Sequence, residues 1–341
     1  MLGLEESSGA ALYGMLEVLS TAGSPVRDSH DMDPAPTSLV PRIVSPFDKT
    51  LRCAHGILVT PDCVTDAANI PNVLIVTEFW LKPGDDMTDR YDEVEAWIRL
   101  CRNAGTTIYS ACVGSVLLAA TGLLDGRPAT SHWALEDLFR KSFPLVKFDP
   151  SPSICFSDPS GCLVTAAGAT AWHDLALHII ARYVSPEDAM LTAKFFLLNL
   201  HPDGQLPYAN RIIRRPHADN IVRRAETWLT ENFRDPDPVA GVVEAVGIPE
   251  RSLKRRFNQA TGQTRINYAQ NLRVKAAKRA LETSRSPVED VAANVGYENV
   301  AYFRRLFKRC SGLKPTEYRR LYQPLEKHAA LCTEQSQGKR L

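Results

Sequence analysis

The sequence lacks any arrangement of cysteines that would give them a shared structural role, although its 341 residues include eight of them. No CxxC pair and no zinc-type spacing of Cys and His is present, which excludes a structural zinc motif and a disulfide scaffold. We therefore expect a reducing compartment, no metal and no cofactor. The cysteines are Cys53, Cys63, Cys101, Cys112, Cys155, Cys162, Cys310 and Cys332.

Long apolar segments and a basic N-terminus are also missing. No apolar run reaches the roughly 18 residues that a membrane span needs. The first residues include the acids Glu5 and Glu6, where a secretory signal would carry bases. These absences argue against membrane insertion and secretion, so we expect a soluble, cytoplasmic protein.

Charge is present in abundance but is divided unevenly along the chain, whose net charge is only +1. Residues 1–210 carry 14 Lys and Arg against 25 Asp and Glu, whereas residues 211–341 carry 26 against 14. Such a separation of sign predicts that the basic part binds a polyanion and that the acidic part has a different task.

The basic part contains one sequence unit twice. RSLKRRFNQATGQTRINYAQ (251–270) aligns with AYFRRLFKRCSGLKPTEYRR (301–320) at a constant offset of 50 residues. A repeat of this length indicates one supersecondary structure used twice. The matched aromatic and glycine pairs are Phe257 and Phe307, Gly262 and Gly312, and Tyr268 and Tyr318.

Each copy has the pattern of two helices joined by a short turn that contains glycine. In the second copy, apolar residues from Pro287 to Val295 recur at helical spacing, Gly296 supplies the turn, and Glu298 or Asn299 opens the next helix. We expect that helix to bury one face and expose a basic one, with Tyr302, Phe303, Leu306 and Phe307 inside and Arg304, Arg305 and Lys308 outside.

The first copy has a more basic second helix but a weaker first one, because Gly241 and four valines lower helix propensity in DPVAGVVEAVG. A long helix through residues 266–284 is predicted to join the two copies. Two helix-turn-helix motifs held rigidly in this way could enter successive major grooves, roughly 34 Å apart, without a dimer.

Residues 238–320 closely resemble the DNA-binding domain of the AraC/XylS family of bacterial transcription regulators, above all in VEDVAANVGYENVAYFRRLFKRCSGLKPTEYR. The resemblance implies binding to double-stranded promoter DNA. One departure is Arg265, since the second copy and the family pattern have proline there, Pro315 in this chain. By this resemblance the DNA-contacting residues are Arg251, Lys254 and Arg255 in the first copy and Ala301, Arg304, Arg305 and Lys308 in the second.

The acidic part alternates between strand-like and helix-like segments. This alternation predicts an open α/β sheet covered on both faces, with its site at the carboxyl ends of the strands. We predict strands within 39–45, 51–59, 72–78 and 106–110, one ending in ATSHW (129–133), and others near 154 and 163, with helices near 89–104, 113–121, 134–142 and 171–183.

Cys112 is the candidate nucleophile of this sheet. It lies in YSACVGS, between a predicted strand and an apolar helix, which is how α/β folds present nucleophiles. His132 also follows a strand, and a cationic imidazole together with the helix N-terminus would lower the thiol pKa. Asp174 is a candidate to orient His132, and Glu78 lies near the expected pocket. The alternative is that Cys112 is simply a small buried apolar residue.

Residues 10–184 resemble the class I glutamine amidotransferase-like superfamily, in the branch of the PfpI intracellular proteases, through SACVGS, LAATGLLDGRPATSHW and AAGATAWHDLALHII. The resemblance implies a flavodoxin-like sandwich with Cys112 at the nucleophile position and His132 at its partner position. The chain departs from the superfamily in three ways. Too few residues precede ALYGMLEVL (11–19) for a full first strand, neither Glu5 nor Glu6 aligns with the superfamily's acidic residue, and VTEFWLKPG (76–84) replaces a compact glycine turn.

Together these features predict a non-enzymatic transcription regulator with two domains. Amidotransferase-like AraC regulators include proteins that respond to small nitrogenous metabolites, so we expect an effector at Cys112 and His132. The alternatives are a cysteine-dependent amidase or carbonyl-detoxifying hydrolase tethered to DNA, and a redox sensor acting through Cys112. The predicted boundaries are 1–200 for the sensor, 201–217 for the linker, 218–322 for the DNA-binding domain and 323–341 for a polar tail.

The expected partners follow from the same resemblance. They are promoter DNA, a small-molecule effector, a second copy bound through the N-terminal domain, and RNA polymerase, with no membrane. The expected location is the cytoplasm, in association with the nucleoid.

Overall fold

The computed structural model describes residues 1–28, 32–33, 39–80, 90–209 and 217–323. The chain divides into two compact units, Met1–Gln205 and the part from Leu206 onward, here called the N-terminal and the C-terminal domain. Most of the predicted tail, the middle of the predicted linker and the end of VTEFWLKPG lie outside the described residues. Among those described, no helix is both long and apolar enough to cross a membrane.

The N-terminal domain contains an α/β sheet in the order β5-β6-β10-β9, with β5, β6 and β10 parallel and β9 antiparallel. Three short pairs flank it, β1 with β4, β2 with β3, and β7 with β8. The strands are β1 (Val44–Ser45), β2 (Leu51–Arg52), β3 (Leu58–Val59), β4 (Cys63–Val64), β5 (Val73–Val76), β6 (Thr107–Ala111), β7 (Pro128–Ala129), β8 (Lys147–Phe148), β9 (Ile154–Phe156) and β10 (Leu163–Ala166).

Helices cover both faces of this sheet, as the sequence predicts. Successive residues of a strand point to opposite faces, so Ile108 packs into one core with Trp97 and Leu117 while Tyr109 packs into the other with Leu175. The helices are α1 (Gly9–Thr21), α2 (Ser24–Asp28), α3 (Asp92–Asn103), α4 (Gly114–Ala120), α5 (Glu136–Ser142), α6 (Trp172–Tyr183) and α7 (Pro186–Phe195).

The first strand is reduced to a single bridging residue, in agreement with the short N-terminal segment. Leu2 forms parallel bridges to both Val44 and Val76, and its N–H donates to the carbonyl of Ile75 at 2.8 Å. The chain thus enters the sheet between β1 and β5 without a full strand.

The C-terminal domain is helical and contains the predicted duplication. Each copy has its own core, which contains a pair of aromatic rings packed edge to face. The ring centroids of Phe257 and Tyr268 lie 5.4 Å apart with an angle of 86° between the ring planes, and those of Phe307 and Tyr318 lie 5.5 Å apart with an angle of 84°. The helices are α8 (Asn220–Asn232), α9 (Pro238–Val246), α10 (Glu250–Thr261), α11 (Arg265–Thr283), α12 (Val288–Asn294) and α13 (Val300–Ser311), and residues 315–323 are also helical.

The structure explains the glycine in α9 and corrects the predicted position of Tyr302. Gly241 lies in α9 because the Trp228 indole packs against it, and an added Cβ would lie 2.5 Å from that ring. Tyr302, which the sequence places on the buried face of α13, is instead exposed and accepts a hydrogen bond from Gln270 of α11 at 3.2 Å. Its hydroxyl needs such a polar partner, so the ring lies at the edge of the core.

Candidate DNA interface and candidate ligand site

The second recognition helix, α13, exposes the basic face that the sequence predicts. The Asn299 side chain caps its start by accepting from the N–H of Tyr302 at 2.9 Å, and Gly312 ends it with a left-handed φ of 80°. Phe303, Leu306 and Phe307 are buried on the inner side. The four residues assigned to DNA contact are all exposed, namely Ala301, Arg304, Arg305 and Lys308.

One of these arginines already has a partner within the motif. Arg304 Nη2 lies 2.6 Å from Glu289 Oε1 of α12, and both side chains are about half exposed, at 53% and 54%. An exposed ion pair of this kind contributes at most about 1 kcal/mol. Glu289 therefore orients Arg304 without preventing its transfer to a base or a phosphate.

The first recognition helix, α10, exposes Arg251, Lys254 and Arg255. The fourth basic residue of this helix, Arg256, has a structural role. Its guanidinium group donates two hydrogen bonds, of 2.8 and 2.9 Å, to the carboxylate of Asp219, the residue that caps α8. The three residues assigned by the family resemblance are thus the exposed basic residues of this helix.

Arg265, the residue that departs from the family pattern, is buried in the first motif. Its side chain is 5% exposed, and its Nη2 donates to Glu250 Oε1 at 2.8 Å, at the start of α10. Its Nη1 is buried and has no hydrogen-bond partner among the described residues. A charged side chain here, in place of the proline at Pro315, attaches the start of α11 to the start of the recognition helix.

The two motifs are joined directly as well as through α11. Gly296, in the turn of the second motif, lies so close to Arg234 that an added Cβ would be 2.5 Å from its carbonyl oxygen. Arg273 of α11 donates to the carbonyls of Phe233 and Asp235 at 2.6 and 2.5 Å and stacks on the Tyr297 ring at 4.7 Å. These contacts fix the separation of the two recognition helices.

In the N-terminal domain, Cys112 occupies the tight turn that the sequence predicts between β6 and α4. Its φ is 52°, a left-handed value that is uncommon outside glycine. Its N–H donates to the carbonyls of Ala166 and Ala167 at 3.1 and 3.0 Å. Gly114 lets α4 approach β5, since a Cβ there would lie 2.3 Å from the carbonyl oxygen of Val76.

The surroundings of the Cys112 thiol favour its neutral form over the thiolate that a cationic His132 would stabilise. The residue is 7% exposed. Burial raises the pKa of the Cys112 thiol to about 12, and the negative charge of Glu78 contributes to the rise while the amides of Ala169 and Val113 oppose it. A thiol held in its neutral form is a poor nucleophile.

Glu78 is the acid that reaches Cys112. It follows β5, and its carboxylate accepts from the Ser8 hydroxyl and the Cys112 thiol, while burial raises the pKa of Glu78. The two earlier acids are engaged elsewhere, Glu5 with Lys49 at 3.3 Å and Glu6 with Arg90 and with the hydroxyl of Tyr91.

His132 lies at the same edge of the sheet, but it uses a ring nitrogen for the backbone. Its Nδ1 accepts from the N–H of Ala134 at 3.1 Å, which leaves the proton of the neutral ring on Nε2. Burial lowers the pKa of His132. A neutral imidazole whose Nε2 carries a proton can donate a hydrogen bond, but it does not supply the cation that would stabilise a thiolate.

The His132 ring packs directly against Gly168, and we expect its position to depend on the lack of a side chain there. An added Cβ would lie 2.0 Å from His132 Cδ2, so Gly168→Ala should push the imidazole outward and raise its pKa towards about 6.5, the ordinary value. NMR titration of the ring, assigned with His132→Ala, measures this shift. Thr170→Ala, in the same turn and exposed, should leave the titration unchanged, and an unchanged curve in Gly168→Ala would contradict the packing.

Asp174 does not orient His132, because its carboxylate is occupied by another histidine. Its oxygens accept from the backbone N–H of His201 and contact His201 Nδ1, each at 3.0 Å. The sequence did not indicate a role for His201, or for Gln205, which contacts the residues on either side of His132. Both residues reach their partners across long stretches of chain, so no local pattern marks them. Within the described residues, no group of three or more His, Cys, Asp or Glu is arranged to hold a metal ion.

Two family models match the chain, one for each domain. Residues 35–182 match the DJ-1/PfpI family, and residues 242–321 match a helix-turn-helix domain. Both matches fall where the sequence resemblances were found.

Several transcriptional regulators are similar to the chain. The HTH-type transcriptional regulator CdhR of Pseudomonas aeruginosa is 29% identical over 237 residues, which are 69% of this chain and 68% of that protein. The HTH-type transcriptional regulator GbdR of the same organism is 25% identical over 277 residues, 80% of this chain and 72% of that protein. The arabinose operon regulatory protein of Escherichia coli is 33% identical over 105 residues, 30% of this chain and 36% of that protein.

The predicted fold class and regulatory function are therefore confirmed. The chain is a DNA-binding transcriptional regulator that joins a DJ-1/PfpI domain to an AraC-type helix-turn-helix domain.

Proposed function

We propose that the DJ-1/PfpI domain binds a small metabolite at the site around Cys112 and thereby changes the affinity of the C-terminal domain for promoter DNA. The observation that carries this proposal is the environment of Cys112, a strained nucleophile turn whose thiol is kept neutral by burial and by Glu78. Such a site keeps the turn that presents a nucleophile in α/β folds but lacks the reactive anion, which favours binding over turnover.

The polar groups of this site favour a ligand that can both donate and accept hydrogen bonds. Glu78 offers carboxylate oxygens, and His132 offers its Nε2–H. A nitrogenous metabolite could supply an N–H or a cation for Glu78 and an oxygen for His132. Because burial disfavours the ionised form of Glu78, a cationic ligand would offset the free-energy cost of that ionisation.

Control of DNA binding requires that the ligand prefer one arrangement of the protein over another. A coupling between two such sites typically changes affinity about 5- to 150-fold. On this proposal the protein acts in the cytoplasm on promoter DNA, as a homodimer through its N-terminal domain, and its output reaches RNA polymerase.

The test is a thermal-shift screen of small metabolites, nitrogenous ones included, on the full-length protein. The protein would first select a DNA duplex from a random library, and each stabilising compound would then be assayed for its effect on binding to that duplex. We expect at least one compound to change DNA affinity about fivefold or more, and His132→Ala to lose this response while still binding DNA. Stabilising compounds that leave DNA affinity unchanged would contradict the proposal, and turnover of such a compound would support the enzymatic alternative.

A further inference from the structure

The last residue of the N-terminal domain holds the segment that carries His132. Gln205 Oε1 accepts from the N–H of Trp133 at 2.9 Å, and its Nε2 donates to the carbonyl of Ser131 at 2.6 Å. The Gln205 side chain thus binds the backbone on both sides of His132. It is 7% exposed, so solvent does not easily replace these bonds.

The residues just before Gln205 are fixed as well. The N–H of Gln205 donates to the carbonyl of Ser151 at 3.0 Å. Gly204 has a left-handed φ of 64°, and an added Cβ there would lie 2.1 Å from the same carbonyl oxygen. The contacts of His201 with Asp174 hold the segment at its other end. Residues 201–205, assigned to the linker from the sequence, are therefore bonded into the N-terminal domain.

The residues that follow are fixed within the C-terminal domain. Lys278, on the α11 helix that joins the two motifs, donates through Nζ to the carbonyls of Leu206, Pro207 and Ala209 at 3.3, 3.0 and 3.0 Å. The ammonium group also lies 5.4 Å from the centroid of the Tyr318 ring. Three carbonyls can satisfy the three donors of a lysine, so this part of the chain is held on α11.

We propose that Gln205 is a positioning residue for His132 and that Gln205 and Lys278 together transmit a change at the His132 segment to α11. No residue separates Gln205, bonded in one domain, from Leu206, bonded in the other. A shift of the Gln205 backbone therefore acts directly on the stretch of chain that Lys278 holds on α11. This inference rests on the proposed function, because it names the route by which occupancy of that site would reach the DNA-binding helices.

Hydrogen exchange of the full-length protein tests the route with DNA as the probe, since coupling between two sites is reciprocal. The amide of Trp133 reports directly, because it donates to Gln205. We expect the selected duplex to change the exchange rate of this amide about fivefold or more. Asp203→Ala, an exposed neighbour of Gln205, should respond as the wild type does.

Lys278→Met should abolish this response while DNA still binds, because it releases residues 206–209 from α11. Lys278→Arg retains a cation that can reach the carbonyls and should preserve the response, which separates the lost contact from a loss of folding. Gln205→Ala should speed exchange of the Trp133 amide with or without DNA. An unchanged rate on adding DNA to the wild type, or a full response in Lys278→Met, would overturn the inference.

A metabolite found in the screen distinguishes this inference from the proposed function. If it changes DNA affinity equally in the wild type and in Gln205→Ala, the sensing function stands and the route through Gln205 is wrong. If it changes DNA affinity in the wild type but not in Gln205→Ala, both are supported. If no metabolite alters DNA affinity while DNA still changes exchange at Trp133, the route stands and the sensing function is wrong.

Discussion

Replacing Arg305 with alanine is expected to weaken binding to a selected DNA duplex about 5- to 150-fold and to relax base preference at one position. Arg305 is exposed on α13, beside Arg304 and one turn from Ala301. An arginine at this place on a recognition helix can contact guanine O6 and N7 with two hydrogen bonds, a pattern that only a G·C pair offers in the major groove.

The double variant Arg304→Ala/Arg305→Ala should have a larger effect than Arg305→Ala alone. The present partner of Arg304 is Glu289, in an exposed ion pair that DNA can replace at little cost. Glu289→Ala should therefore change affinity far less than Arg304→Ala does. Fluorescence anisotropy against the selected duplex and its single-base variants measures both affinity and base preference.

Two further variants separate base recognition from general attraction to DNA. Lys308→Ala should weaken binding to all duplexes alike, as expected for a phosphate contact. It should also reduce the slope of log affinity against log salt concentration by about one. Arg320→Ala is the matched control, because it also removes one positive charge, from an exposed position outside both recognition helices. If Arg304→Ala/Arg305→Ala bound the selected duplex as the wild type does, α13 would have no part in recognition.

The helices and turns of the C-terminal domain could be predicted almost completely from the sequence, because the patterns that specify them lie within short stretches of chain. Helix periodicity, turn glycines and the 50-residue repeat each act over a few residues or over a repeated pattern. The paired contacts of Phe257 with Tyr268 and Phe307 with Tyr318 show the duplication in three dimensions. The role of Arg256 as a partner of Asp219 was not predictable, since it depends on how α8 packs against α10.

In the N-terminal domain the sequence predicted the turn at Cys112 but not its chemistry. A strand, a thiol and an apolar helix in succession are enough to specify the turn. Whether the thiol ionises depends on groups from other elements, and Glu78, the amide of Ala169 and the burial of the turn together set that outcome. His132 likewise has a bonding pattern that depends on Ala134, Gly168 and Gln205 in three dimensions.

Alkylation of Cys112 by iodoacetamide at pH 8 is expected to be about 100- to 1,000-fold slower than that of an ordinary free cysteine. Burial and Glu78 raise the pKa of this thiol to about 12, so only a small fraction is thiolate at pH 8. The rate should continue to rise with pH beyond the range in which a free thiol has already ionised. Peptide mass spectrometry after timed quenching measures the rate at each cysteine separately.

Cys162 supplies an internal reference in the same protein. Hydrogen bonding with Ser160 lowers the pKa of the Cys162 thiol, with help from Thr107 and from Arg182, whose Nη2 lies 3.6 Å from the sulfur. Cys162 is also partly exposed, so it should be alkylated much faster than Cys112. The ratio of the two rates is independent of reagent concentration.

Two variants assign the cause of the suppressed reactivity. Glu78→Gln removes the negative charge beside the sulfur and should lower the pKa of Cys112, raising its alkylation rate at pH 8. His132→Ala should leave the rate nearly unchanged, because the neutral ring does not stabilise the thiolate. Fast alkylation of Cys112 that disappears in His132→Ala would instead show an assembled Cys and His pair. The domain would then have a reactive anion, and hydrolysis or oxidation at Cys112 would become better explanations of this site than ligand binding.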